Sequence, residues 1–86
     1  MKGWDLIKYP HLTEKSVEKV DEENTLVFIV EEDSSKPQLK KEMEDMFDIE
    51  VSKVNTQITP EGDKKAYIKL APGYEALDIA TRLGML

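Results

Sequence analysis

Lys65, Tyr67 and Lys69 occupy alternate positions of one short run, Lys64 to Leu70. In an extended chain alternate side chains share a face, so a phenol ring would stand between two ammonium groups. Lysine supplies charge to a phosphate, and tyrosine can stack on a base or sugar or donate to a phosphate. Lys53, Asn55 and Gln57 repeat the alternation in a neighbouring run and add further donors. Spacing alone leaves a second reading equally open: a solvated outer sheet face whose lysines serve solubility. A second group, Lys2, Lys8, His11 and Lys15, gathers near the start of the chain. It would surround a short strand and a helix N-terminus, where free N–H groups favour an anion, but taken alone it is a weak signal.

Catalysis finds less support. Eighteen carboxylates in 86 residues make neighbouring acids inevitable. Glu22-Glu23 and Glu31-Glu32-Asp33 therefore read as solvated acid rather than acid–base pairs. No DxDxDG-type loop is present to gather a cation. Gly3, Gly62, Gly73 and Gly84 are isolated, each placed for a turn or cap, and form no phosphate loop. The single histidine, His11, has no orienting partner of the kind general-base work needs, and reads as a polar loop residue or a phosphate contact. Without cysteine there is no disulfide, thiolate zinc site or thiol nucleophile. The expectation is a binding protein, not an enzyme, with no metal and no cofactor.

The net charge of −6 argues at first sight against nucleic acid. Its distribution does not. Residues 1–19 hold four lysines against three acids, residues 20–50 three lysines against eleven acids, and residues 51–86 five Lys and Arg against four acids. The acid forms one block, and both ends are mildly basic. No apolar run approaches the ~18 residues of a membrane span. MKGWDLIKYP lacks the apolar core of a signal peptide. A soluble cytoplasmic protein is expected.

The elements that must position these residues fit one small domain over residues 1–86. Residues 4–8 read as a short strand ended by Pro10. Thr13 is a plausible N-cap of a helix burying Val17 and Val20, with Leu12 and Val17 spaced as a hydrophobic staple. Thr25 to Val30, TLVFIV, is a β-branched and aromatic run suited to a central strand covered on both faces. Ser35 and Gln38 make a capping-box pattern, and Pro37 sits in the first turn. Leu39, Met43, Met46 and Phe47 then form one apolar stripe, predicting a helix over 36–47 whose other face carries Lys40, Lys41, Glu44, Asp45 and Asp48. Runs 51–59 and 64–70 flank Thr59-Pro60-Glu61-Gly62-Asp63 and predict a hairpin. A last helix, about 75–83, carries Leu77, Ala80 and Leu83 before Gly84. The fold class expected is α+β: a mainly antiparallel four-stranded sheet with helices packed on it, in the order strand, helix, strand, helix, hairpin, helix.

Two separated blocks of this chain resemble one known family. YPHLTEKS, through Pro10, Thr13, Glu14 and Lys15, resembles the Pro-x-x-Ser/Thr-Glu-Lys opening of the large-subunit ribosomal protein family twenty-three. EVSKVNTQITPEGDKKAYIKL resembles its second block, through Val51, Val54, Asn55, Thr56, Lys64, Lys65, Ala66 and Tyr67. NTLVFIV, the helix opening SSKPQLKKEME and the closing ATRLGML match in position and type, so the likeness spans nearly the whole chain. The short loop 59–63 resembles archaeal members, since bacterial ones carry a long hairpin extension into the exit tunnel.

The resemblance implies a structural protein that binds large-subunit ribosomal RNA at the rim of the polypeptide exit tunnel. It implies large-subunit protein twenty-nine as neighbour, and a docking surface for nascent-chain factors such as the signal recognition particle. The RNA-binding set it implies, together with the residues above, is Lys8, His11, Lys15, Lys53, Asn55, Thr56, Lys64, Lys65, Tyr67 and Lys69. In bacterial relatives the Glu of the opening motif contacts a ribosome-docked chaperone; that position is Glu14, which also reads simply as a first-turn acid favoured by the helix dipole. The acidic block departs from the basic habit of ribosomal proteins and should face away from RNA. Two rivals remain at this stage. A free-standing RNA-binding or regulatory domain would bind RNAs unrelated to the ribosome. An acidic cation-binding module would show saturable divalent-cation binding.

Overall fold

The computed structural model of the protein describes residues 6–84. Its sheet grows from TLVFIV. All six residues of β2 (Thr25–Val30) are buried, as suits a strand with neighbours on both sides, although the helices cover only one of its faces. β2 pairs with β1 (Ile7–Pro10) on one side and with β4 (Lys64–Leu70) on the other, and β3 (Val51–Ile58) closes the sheet beyond β4. Every pairing is antiparallel and the order is β1-β2-β4-β3. Three helices, α1 (Glu14–Glu23), α2 (Lys36–Phe47) and α3 (Ala76–Arg82), complete the α+β fold.

The helices meet one face of the sheet. Leu26, Phe28 and Val30 of β2, with Ala66, Ile68 and Leu70 of β4, share one core with Val20 of α1, Leu39 and Met43 of α2, and Ile79 and Ala80 of α3. This is period two on the strands meeting period 3.6 on the helices. α2 spans the residues its pattern predicts. Ser35 Oγ accepts from the backbone N–H of Gln38, while the Gln38 side chain accepts from that of Ser35 at 2.9 Å. The Thr59–Asp63 connection closes as a hairpin, with Gly62 at φ +93°, a left-handed conformation that glycine adopts without strain.

Several expectations are corrected. The first strand is Ile7–Pro10, not 4–8, and Trp4 and Asp5 lie outside the described residues. Pro10 is the last residue of the strand, as expected, standing opposite Phe28, and one further bond follows, from the N–H of His11 to the Val27 carbonyl at 3.0 Å. An edge strand tolerates the missing proline donor. In α1 the capping box is Thr13 with Ser16, and Ser16 and Val20 are the buried pair. Val17 is exposed, as is Leu12, so no buried staple forms. In α3 Ala76, Ile79 and Ala80 face the core, while Leu77 is 44% exposed. Phe47 packs against the core only partly buried, because α2 ends there and Asp48 turns left-handed at φ 55°. Glu44 leaves the solvated set, accepting from the Val51 N–H at 2.9 Å.

Asn24 locks the two ends of the fold together. It caps α1 in the left-handed region, which asparagine enters more readily than most residues. Its Nδ2 donates to the Tyr74 carbonyl at 2.8 Å, and its Oδ1 accepts from the Ala76 N–H at 2.7 Å. One residue thus ends α1 with its backbone, whose N–H donates to the Lys19 carbonyl, and holds the start of α3 with its side chain.

Candidate nucleic-acid interface

The face of the sheet turned away from the core is ordered in cross-strand rows. Thr25 of β2 stands opposite Lys69 of β4, and Lys69 opposite Lys53 of β3. The next row is Val27, Tyr67 and Asn55, and the third is Ile29, Lys65 and Gln57. Tyr9 of β1 extends the third row beside Ile29. Antiparallel partners share a face, so three lysines surround one tyrosine, as the alternation in the sequence predicts.

Two features of this face are unusual for a solvated surface. Lys53 and Lys69 are direct cross-strand partners, and like charges so placed repel. Among the described residues neither is in an ion pair; the pairs that do form are Lys19–Glu23, Lys41–Asp45 and Arg82–Asp78. Tyr67, in turn, is held in place. Its hydroxyl donates to Gln57 Oε1 at 3.1 Å, and the ammonium groups of Lys19 and Lys65 lie 5.6 and 6.0 Å from its ring centroid, within cation–π range.

α1 supplies the wall. It contributes Val20 to the core, while the adjacent Lys19 reaches round to the ring of Tyr67. Between α1 and the sheet lies a depression of about 360 Å³, with Val27 and Tyr67 among its lining and His11, Lys15, Lys19 and Lys65 around them. A second depression, of about 440 Å³, adjoins it across Tyr67 and Lys19 and holds Lys53, Asn55 and Lys69. Glu14 borders the first and Glu23 the second, so the face is mixed in charge.

The structure brings together His11, Lys15, Lys53, Asn55, Lys65, Tyr67 and Lys69. It separates three others. Lys64 belongs to the opposite parity, and its Nζ donates to the carbonyls of Ser34 at 2.6 Å and Glu32 at 3.3 Å. Thr56 stands opposite Ala66, also on the helix side of the sheet. Lys8 is exposed on β1 where the register shifts and lines neither depression. Lys2 lies outside the described residues. Sequence reasoning missed Lys19; its signal was the i, i+4 spacing from Lys15, which puts both on one flank of α1. Among the described residues, no group of three or more His, Asp or Glu is placed to hold a metal ion, and no helix is long and apolar enough to cross a membrane.

The family model of ribosomal protein L23 matches residues 5–65, well over half of the 86 residues. The chain belongs to the ribosomal protein L23 family. L23 proteins are structural components of the large ribosomal subunit, and the cytoplasmic ribosome is where this chain works in translation. The matched region runs from β1 through β3 into the start of β4. Tyr67, Lys69 and α3 fall beyond it, yet the pairing of β4 with β2 and β3 places Tyr67 and Lys69 on the same face as the matched Lys53, Asn55 and Lys65.

Proposed function

We propose that this L23 protein binds large-subunit ribosomal RNA at the rim of the polypeptide exit tunnel through the outer face of its sheet. The observation that carries the reading is the Lys53–Lys69 cross-strand pair beside the pinned ring of Tyr67. Two unneutralised cations held together favour a polyanion, and the ring offers a stacking plane. His11 and Lys15 extend the cationic rim along the start of α1. The short 59–63 connection supports the archaeal form of the family.

The remaining surfaces are left for proteins. Large-subunit protein twenty-nine is the neighbour, and nascent-chain factors such as the signal recognition particle are the visitors. Glu14, exposed in the first turn of α1 at the border between the RNA face and these surfaces, is the docking residue on this reading. Sedimentation of a lysate containing the native protein tests the assignment. The protein should travel with large subunits. Recovery only near the top of the gradient would sink the ribosomal role, and tight binding to RNAs unrelated to the ribosome would then favour a free-standing RNA-binding domain.

A further inference from the structure

We propose that the depression between α1 and the outer sheet face is a receptor for one unpaired RNA base, stacked on Tyr67, with its flanking phosphates held by lysines on either side. The inference rests on the RNA-binding reading and adds what part of the RNA is recognised. Four observations converge on it. The depression, at about 360 Å³, falls in the range of small-ligand sites, which begin near 300 Å³. Its lining includes an aliphatic side chain, Val27, and an aromatic one, Tyr67. The ring is fixed before any ligand arrives, by the bond to Gln57 and by the two lysines over it. Cations then stand where a nucleotide's phosphates would pass: His11 and Lys15 border this depression, while Lys53 and Lys69 lie in the adjoining one.

Paired bases do not fit this arrangement. A base in a duplex shows its edge to a groove and hides its faces in the stack, whereas stacking on Tyr67 takes a free base face, with Lys19 or Lys65 swinging from over the ring to the flanking phosphates. Stacking is tolerant of sequence because every base has a π face. The site should therefore prefer single strands, bulges or extruded nucleotides over continuous duplex, with little choice among bases.

Stacking and phosphate binding leave different signatures. Removing a lysine from a phosphate changes the salt dependence of binding; removing a stacking ring does not, because no counterion is released there. The experiment measures binding of the full chain to large-subunit ribosomal RNA across a salt series, with a single-stranded RNA oligonucleotide and its duplex as competitors. Tyr67→Leu preserves apolar bulk and removes the ring; Tyr67→Phe preserves the ring and removes the Gln57 bond. Tyr67→Leu should weaken binding roughly 5–140-fold, the equivalent of a stack of about 1–3 kcal/mol at about 1.4 kcal/mol per tenfold, with the log–log salt slope unchanged. Tyr67→Phe should stay near the parent, and the single strand should compete better than the duplex. A Tyr67→Leu protein that melts like the parent and binds within about twofold of it overturns the base receptor while leaving RNA binding intact. Equal competition by duplex does the same. Absence of RNA binding by the unaltered protein overturns the parent reading as well.

Discussion

The two faces of the sheet are built from alternate residues of the same strands and do opposite work. On the helix side Phe28, Ile68 and Leu39 are sealed from water, and burial of this kind is what holds a small domain together. On the outer side Lys53 and Lys69 stand side by side, and among the described residues neither is in an ion pair. Like charges so paired cost stability, and on the proposed reading RNA binding offsets that cost. Lys64 and Lys65 show the division within one peptide unit. Lys64 secures the 31–34 loop through two carbonyls, while Lys65 lies over Tyr67. Charge type alone therefore does not tell which face a lysine serves; parity along the strand decides.

The largest effect should come from the sealed face. Phe28 is fully buried, and Phe28→Ala should cost roughly 3–5 kcal/mol in chemical denaturation. Phe47, at the margin of the same core, should cost clearly less on truncation. Equal losses at the two positions would break the distinction between core centre and core margin. Next comes the lock at Asn24. Asn24→Ala removes the bonds to Tyr74 and Ala76 and leaves a left-handed residue without its polar side chain. A loss of about 1–3 kcal/mol is expected. Asn24→Gly, which keeps the backbone freedom, should fall between alanine and the parent.

The outer face should respond the other way. Lys53→Ala with Lys69→Ala should leave the melting temperature unchanged or raise it, since a repulsive cross-strand pair is gone. The same double change should flatten the log–log salt dependence of RNA binding by about 0.7–0.9 for each phosphate these lysines neutralise. Lower stability with an unaltered slope would show that these lysines serve the fold. Lys64→Ala is the contrasting case. It should lower stability by about 1 kcal/mol through the loop carbonyls and leave the slope as it was. A flattened slope for Lys64→Ala would show that parity does not divide the faces.

Much of this was legible in the sequence where local rules and tertiary packing agree. Ser35, Pro37 and Gln38 specify the start of α2 by backbone chemistry alone, and its range follows. TLVFIV declares a central strand because five of its six residues are apolar and β-branched, aliphatic or aromatic. Legibility failed where packing arbitrates between equals. Ser16 is buried and Val17 exposed because the α1 capping box turns Ser16 inward, bonding its hydroxyl to the Thr13 carbonyl as well. Leu77 looks like a core residue, yet the face of α3 is set by Ala76, Ile79 and Ala80. The basic alternation of the interface was visible; its wall was not, because the meeting of Lys19 with Tyr67 joins residues 48 positions apart. Asn24 falls in the polar run Asp21 to Asn24 that reads as the stop of the first helix, and it is the cap; the bonds of its side chain to Tyr74 and Ala76 join residues some 50 positions apart and leave no local signal.

The smallest expected effect concerns the acid. Residues 20–50 hold eleven carboxylates against three lysines, and RNA must bind a protein that carries them. Asp45 and Asp48 lie at the end of α2, which packs on the helix side of the sheet. Asp45 pairs with Lys41 in an exposed contact at 3.5 Å of the kind worth little. Asp48 is left-handed, a conformation asparagine accepts. Asp45→Asn with Asp48→Asn should therefore fold normally, and Glu44 is best left in place for its bond to Val51. If RNA meets only the outer face, these two charges act on it through the long-range field alone. Affinity should then rise a few-fold at low salt, and the gain should vanish near 1 M, where the Debye length is about 3 Å. The footprint on the RNA should not move. A loss of binding, or a displaced footprint, would mean that the acidic helix touches the RNA directly or through a bridging cation, and the division of this molecule into a binding face and a packing face would fail.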